Sequence, residues 1–458
     1  MRTTFLNSIW KLCLLFGLLI VIPQLLQAGD GVRVGAAAVN LKANDHMPVA
    51  GGIHPGVAQG QEGELRAIAI VLEKEDVTLA IVTLDILMIT RDVLDVAAKE
   101  IEDETEIPFA NILINCTHTH HAPSTMQVHG YAADLGFTMR VQKGIVSAVK
   151  KAHAKLSANE CDFHFHLGRE ATIGQNSRQL LPDGSIYWIG RREFVRSTGP
   201  FDPELPVLAF SEPSDEGLGV LQAVLFNHST HTIGTIKPGV RSPSFYGLAG
   251  QRLEKDLGGV FSFVEGASGS THNLTLSCAE ATDRIASAVK EALTKAERRP
   301  VKRLASRKES FKYRVRTFDE AAEEAAVSTY CRKWVGESAD NFVPIFRRMR
   351  QQLASMQGEE RETWVHAMVI GDVAMVGVPA EFFTKLGVDI KNRSPYRHTY
   401  VAELANDWIG YLPDKDAHEL GGYQVWTGFH SYAEPGTGER VVDEAIALLN
   451  ELKEEGRE

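Results

Sequence analysis

Cysteine is scarce: five in 458 residues, none spaced as CxxC. That excludes a cysteine-held zinc site and a disulfide-dense scaffold. Cys116, Cys161, Cys278 and Cys331 are scattered, and Cys116, closing an apolar run, reads as a small buried hydrophobe. A basic surplus is missing too. Lys plus Arg number 48 against 59 Asp plus Glu, a net charge of −11, so nucleic acid is excluded as a partner for want of cations to neutralise phosphates. Beyond residue 22 no apolar run is long enough to span a bilayer. There is no internal repeat, no low-complexity tract and no HExxH helix. The small and polar stretch 265–273 lacks the lysine of a phosphate loop.

What is present is ordinary for a globular protein: 44% hydrophobic and 23% charged residues, in a chain long enough for one large or two to three domains. Arg2 and Lys11 precede the apolar run 12–22, and the small Ala28 and Gly29 follow. Residues 1–28 therefore read as a secretory signal, which places the protein outside the cytoplasm, periplasmic or secreted. Leu26 stands where a small residue is preferred, so an uncleaved anchor is the alternative. Residues 29–299 alternate apolar runs with amphipathic stretches, the pattern of an α/β part with a mixed sheet and flanking helices. Near residue 300 composition turns basic and then helical and charged, and 300–458 reads as a second part packed with the first as one unit.

The chemistry-bearing residues stand where apolar runs give way to loops. Run 109–114 opens into Asn115-Cys116-Thr117-His118-Thr119-His120-His121-Ala122-Pro123. On a strand, residues two apart share a face, so His118 and His120 are predicted to point the same way. Run 218–226 ends in Asn227-His228-Ser229-Thr230-His231. The hairpin 364–378 delivers Pro379-Ala380-Glu381, where Glu381 is predicted to start a helix, favoured there by the dipole or serving as a ligand. Asp85, an acid inside an apolar run, needs a partner or caps a loop. His164 and His166 alternate with phenylalanines and read as a solvated strand face; 278–298 reads as one long helix. Two histidines and a carboxylate brought together leave a zinc ion one position for water. The spacing alone equally allows histidine loops without a ligand.

The pieces NCTHTHHAP, FNHSTH, FVEGASGSTHN, GVPAEFF and NDWIGYLPDKDAHELGGYQ occur in one order over 32–423. With GGIHPG and ELRAIAIVL ahead of them, the chain resembles the neutral, non-lysosomal ceramidase family. The resemblance implies a zinc ion held by His118, His231, Glu381 and Tyr411; the family's other tyrosine slot in the last loop is Trp408 here. It places His120 against substrate, makes Arg178 of QNSR a pocket residue, and sets Tyr423 beside the reacting amide. Asn227 and Asn273 are candidate pocket donors or turn residues. The chain departs from the family at SGSTHN and SPSFYG, where acids are replaced, and it ends in a helix rather than the family's immunoglobulin-like domain.

What the resemblance implies is zinc-dependent hydrolysis of an N-acyl amide, ceramide-like, with a lipid substrate at a membrane surface. Two other expectations stand beside it: a zinc amidase or esterase for a more polar substrate, and an exported binding protein without catalysis. The sequence says nothing of oligomeric state.

Overall fold

Alternate residues of the apolar runs belong to two different cores, which is why the runs are continuous rather than alternating with polar residues. The structure, a computed structural model, describes residues 30–188, 190 and 192–457; the signal reading of 1–28 lies outside them. Strands β1 (Arg33–Asn40), β2 (Arg66–Lys74) and β3 (Val77–Leu84) are antiparallel neighbours. Helix α1 (Arg91–Thr105) crosses over to β4 (Ile112–Cys116), parallel to β3. Helix α2 (Leu135–His153), capped by the Asp134 carboxylate on the Phe137 N–H, packs with α1 on one face of this sheet.

The pattern recurs. β5 (Asp162–Arg169), β6 (Glu204–Ser211) and β7 (Leu221–His228) are antiparallel, and α3 (Ser244–Leu257) crosses to β8 (Val260–Glu265), parallel to β7. Helix α4 (Cys278–Lys295) covers this sheet, starting from a Ser277–Glu280 capping box. After it, β9 (Glu297–Arg299) pairs with β5. The helix predicted to reach residue 298 thus stops at Lys295, because β5 offers an open edge on which 297–299 satisfies its backbone. That added strand borders β5, and His164, read as solvent-facing, is buried.

The third sheet repeats the order. β10 (Leu304–Arg314) leads through α5 (Glu320–Trp334) and α6 (Ala339–Leu353) to the hairpin β11 (Glu360–Ile370) and β12 (Val373–Gly377). A two-residue strand, β13 (Glu381–Phe382), and α7 (Thr384–Arg393) then precede β14 (His398–Ala402), parallel to β12. Last come β15 (Tyr411–Leu412), α8 (Lys415–Leu420) and α9 (Thr437–Glu455).

All three sheets therefore share one order of four strands, antiparallel, antiparallel, then parallel through a helix. No repeat is visible in the sequence because the topology needs only apolar runs of similar length, not the same residues. The inner faces meet in one core: Ile70, Leu72 and Ile81 of the first sheet, Leu208 and Leu225 of the second, Met368, Ile370 and Met375 of the third. Small residues one position along, such as Ala69, Ala80 and Ala367, face the helices outside. The carboxyl ends of all three parallel pairs lead into His118, His231 and Glu381, the usual location of α/β sites. Among the described residues all four cysteines are free and buried, and no helix is long and apolar enough to cross a membrane.

One joint between sheets is titratable. Lys308 of β10 is buried, its ammonium donating to the Phe109 and Ile112 carbonyls at 3.0 and 2.6 Å and lying 4.3 Å from the Phe109 ring. Burial outweighs the attraction of Asp95 and Glu102 and brings its pKa down to about 7. The unfolded chain, with a lysine near about 10.4, binds the extra proton between those values. This group's contribution is complete above that window and is lost as pH falls through about 7. A Lys308→Met variant is expected to raise Tm relative to the parent more at about pH 6 than at about pH 10. A Tm difference independent of pH in thermal scans would refute the assignment.

Candidate metal centre

β4 stops at Cys116, and Thr117 still bonds across to β3 through the Leu84 carbonyl at 2.9 Å. His118 then turns the chain with φ of 58°, a left-handed conformation uncommon for a histidine. The pleat therefore does not extend to residue 120, and the same-face prediction fails in its reason. His118 and His120 converge all the same, their Nε2 atoms 3.3 Å apart, through this kink. Each is tied back by its other nitrogen. His118 Nδ1 donates to the Leu87 carbonyl at 3.0 Å, and His120 Nδ1 to the Gly51 carbonyl at 2.9 Å. Gly51 has φ of 109°, and a Cβ there would fall 2.6 Å from the His120 Cβ, so no side chain fits above that imidazole.

β7 delivers His231. Its Nδ1 donates to the Ser268 carbonyl at 2.9 Å, beyond the end of β8. Carbonyls only accept, so all three imidazoles carry their proton on Nδ1 and present a lone pair at Nε2. The donor atoms of His118, His120 and His231 lie within 4.8 Å of one another.

Glu381 does not start a helix. It sits in β13, paired in parallel register with Tyr411 of β15, and α7 begins three residues later at Thr384. The strand pairing aims both side chains at the histidines. Glu381 Oε2 stands 3.3 Å from His118 Nε2 and 3.3 Å from His231 Nε2. Its Oε1 accepts the Trp408 indole N–H at 3.1 Å. Trp408 thus fixes which carboxylate oxygen faces the imidazoles. The Tyr411 hydroxyl lies 3.2 Å from His231 Nε2.

These separations test the fit to a metal. Zinc bonds of about 2.0–2.1 Å in a tetrahedron place ligand atoms about 3.3–3.4 Å apart. The neighbouring donors here stand at 3.2–3.3 Å. Two imidazole lone pairs, a carboxylate and a phenol oxygen facing one point suit a divalent cation. The electrostatics agree. Desolvation raises the Glu381 carboxyl, but the two imidazoles outweigh it and hold its pKa well below the usual range. Desolvation lowers His118, yet Glu381 pulls it up overall, whereas burial takes His120 well down. Burial and the Glu381 charge push Tyr411 well up.

Tyr423 flanks this group, its ring centroid 5.8 Å from that of Tyr411. It stacks on Trp188 at 4.4 Å and His430 at 4.8 Å, and its hydroxyl meets His129 Nε2 at 3.0 Å. Arg178 is not brought to the histidines. Its buried guanidinium donates to the Gln424 side chain and to the Ala417 and Gly421 carbonyls, which seats the turn carrying Tyr423. The Asn227 amide donates to the Val264 and Val401 carbonyls at 2.9 and 2.8 Å, joining the second and third sheets. Asn273 closes its own turn onto residues 275 and 276. His121 accepts the Gly234 N–H, and His228 meets Tyr246 and the Glu170 carbonyl. Buried Asp85 accepts the Arg66 N–H, and desolvation raises its pKa to about 7.

Sequence reading missed His129 and His430, the partners of Tyr423, and Glu403, which follows β14. His129 stands in an unremarkable QVHGY stretch, and nothing in its neighbours marks it. Glu403 directly follows an apolar run, the same signal that marked His118 and His231.

No protein-family model matches the chain, and no curated protein sequence does. Solved structures do. The chain superposes on neutral ceramidase from Pseudomonas aeruginosa with a TM-score of 0.70 at 17% identity, over 92% of this chain and 75% of that one. A ceramidase complexed with C2 gives 0.71 at 16% identity, over 93% and 76%. The chain has the α/β fold of these ceramidases.

Proposed function

We propose that this protein is a zinc-dependent amidohydrolase that cleaves an N-acyl amide, foremost of a ceramide-like lipid, into a carboxylic acid and an amine. The observation that carries the reading is the convergence of His118, His231, Glu381 and Tyr411, with three donor separations of 3.2–3.3 Å and both imidazoles locked to present Nε2. The ceramidase fold supports the substrate class, and the 1–28 segment supports export, with the lipid met at a membrane surface.

Zinc, when bound, would supply Lewis acidity and, with a water added as a fifth ligand to the four side chains, would lower the pKa of that water. The chain supplies the rest. Tyr423 donates its phenolic hydrogen to the carbonyl oxygen as negative charge builds there. His120, neutral and anchored through Nδ1, accepts at Nε2 a proton from the water that attacks the acyl carbon and passes it to the amine nitrogen as the C–N bond breaks. Arg178 positions Tyr423 through the turn it holds. Asn227 and Asn273 serve the pocket by fixing the strand and loop around His231 rather than by touching substrate.

A second reading, a substrate with a polar amine portion, is favoured by one feature. A hollow of about 390 Å³ lies beside the Tyr423 turn, and Asp319, Glu323 and His418 share its wall with Tyr330 and Trp426. A panel of N-acyl sphingosines, N-acyl amino acids and N-acyl polyamines, assayed for released fatty acid, separates the two. Activity lost to a chelator and restored by zinc is the expected outcome. Stoichiometric zinc with no cleavage across the panel sinks the hydrolase, and absence of zinc under all conditions leaves an exported binding protein.

A further inference from the structure

Behind the cage one buried carboxylate reaches two of its walls. Glu403 follows β14, and its Oε2 accepts the Ser268 N–H at 3.0 Å and the Phe382 N–H at 2.8 Å. Its Oε1 accepts the Ser268 hydroxyl at 2.6 Å. Ser268 is the residue whose carbonyl receives His231 Nδ1–H, and Phe382 adjoins Glu381 on β13. The same two segments are also stitched directly, Gly269 N–H to the Phe382 carbonyl at 2.9 Å. That approach is close: a Cβ on Gly269 would lie 2.5 Å from the Glu381 carbonyl oxygen. Glu403 is itself fixed, its N–H donating to the Glu265 carbonyl at 2.9 Å.

We infer that Glu403 is a positioning residue for the metal: one side chain sets both the carbonyl that orients His231 and the strand that presents Glu381. Burial of a polar group is costly unless it is hydrogen-bonded. Three donors match this one, and all three lie on segments carrying or orienting cage residues. A carboxylate serving stability alone has no need to choose those segments. The role differs from the usual one in which an acid meets the ligating imidazole directly; here the acid acts one backbone group further out and on two ligands at once. The inference rests on the zinc reading above.

The test measures zinc affinity by chelator competition, with the visible spectrum of the cobalt-substituted protein as a report on ligand geometry. Glu403→Ala, which deletes all three acceptor contacts, is expected to weaken zinc binding about 10–100-fold and to alter the cobalt spectrum. Glu403→Gln keeps an oxygen for both backbone N–H groups and is expected to recover most of the affinity. Unchanged affinity in Glu403→Ala overturns the inference, as does a Gln variant no better than Ala. If the Ala variant does not fold, Glu403→Asp decides, since it withdraws the carboxylate from both N–H groups at equal charge. Parent-like zinc affinity in it overturns the inference. A parent protein that binds no zinc instead removes the cage reading itself.

Discussion

His118→Ala is expected to purify without zinc and to lose amide hydrolysis by about 10³-fold or more. Metal activation contributes several kcal/mol, and each ~1.4 kcal/mol is a factor of ten. The substitution deletes one of the two imidazoles 3.3 Å from Glu381 Oε2 and leaves the Leu87 carbonyl without its partner. It also puts an alanine at φ of 58°, a strain unrelated to metal. His118→Asn separates the two effects, because asparagine tolerates the left-handed region yet has no nitrogen lone pair at the Nε2 position. Both variants are expected to lose zinc, with the asparagine variant keeping the thermal stability of metal-free parent. Full zinc occupancy in either, by elemental analysis, would exclude His118 from the cage.

Tyr423→Phe is expected to lower kcat about 10²–10³-fold, the usual cost of one oxyanion donor, with KM little changed and zinc content intact. The ring keeps its stacking on Trp188 and His430, so the variant deletes a hydroxyl and its contact with His129 and little else. A loss expressed wholly in KM would make Tyr423 a substrate-binding residue instead. A loss of zinc would make it a ligand, contrary to the geometry around Tyr411.

Much of the architecture was legible because burial on both faces leaves continuous apolar runs, and these run from strand to loop at residues that stand out. His118, His231 and Glu381 sit at such endings, and the structure brings all three within 3.3 Å contacts. What was not legible depends on distant pairing. The two-residue strand at Glu381 exists only because Tyr411 and Leu412 arrive beside it, so a helix start was the natural local reading. The kink at His118 has no glycine or asparagine to announce it; the Leu87 and Gly51 carbonyls that fix it come from other loops. Arg178 carries a motif resemblance toward the pocket, but the carbonyls of 417 and 421 claim its guanidinium. Three sheets of one topology escaped notice since matching hydrogen-bond order leaves no matching letters.

Those three sheets leave the ribosome one after another, and each holds back a share of the cage. The first contributes His118, the second His231, and Glu381 and Tyr411 emerge only with the last. A nascent chain arrested before Tyr411 has no complete binding point, however well its earlier sheets have formed. A zinc ion bound there would join loops as far as 293 residues apart, from His118 to Tyr411, and local opening at any one would have to break coordination to proceed. Resistance to protease, compared with and without the ion, would accordingly rise at sites near all three sheets together rather than near one.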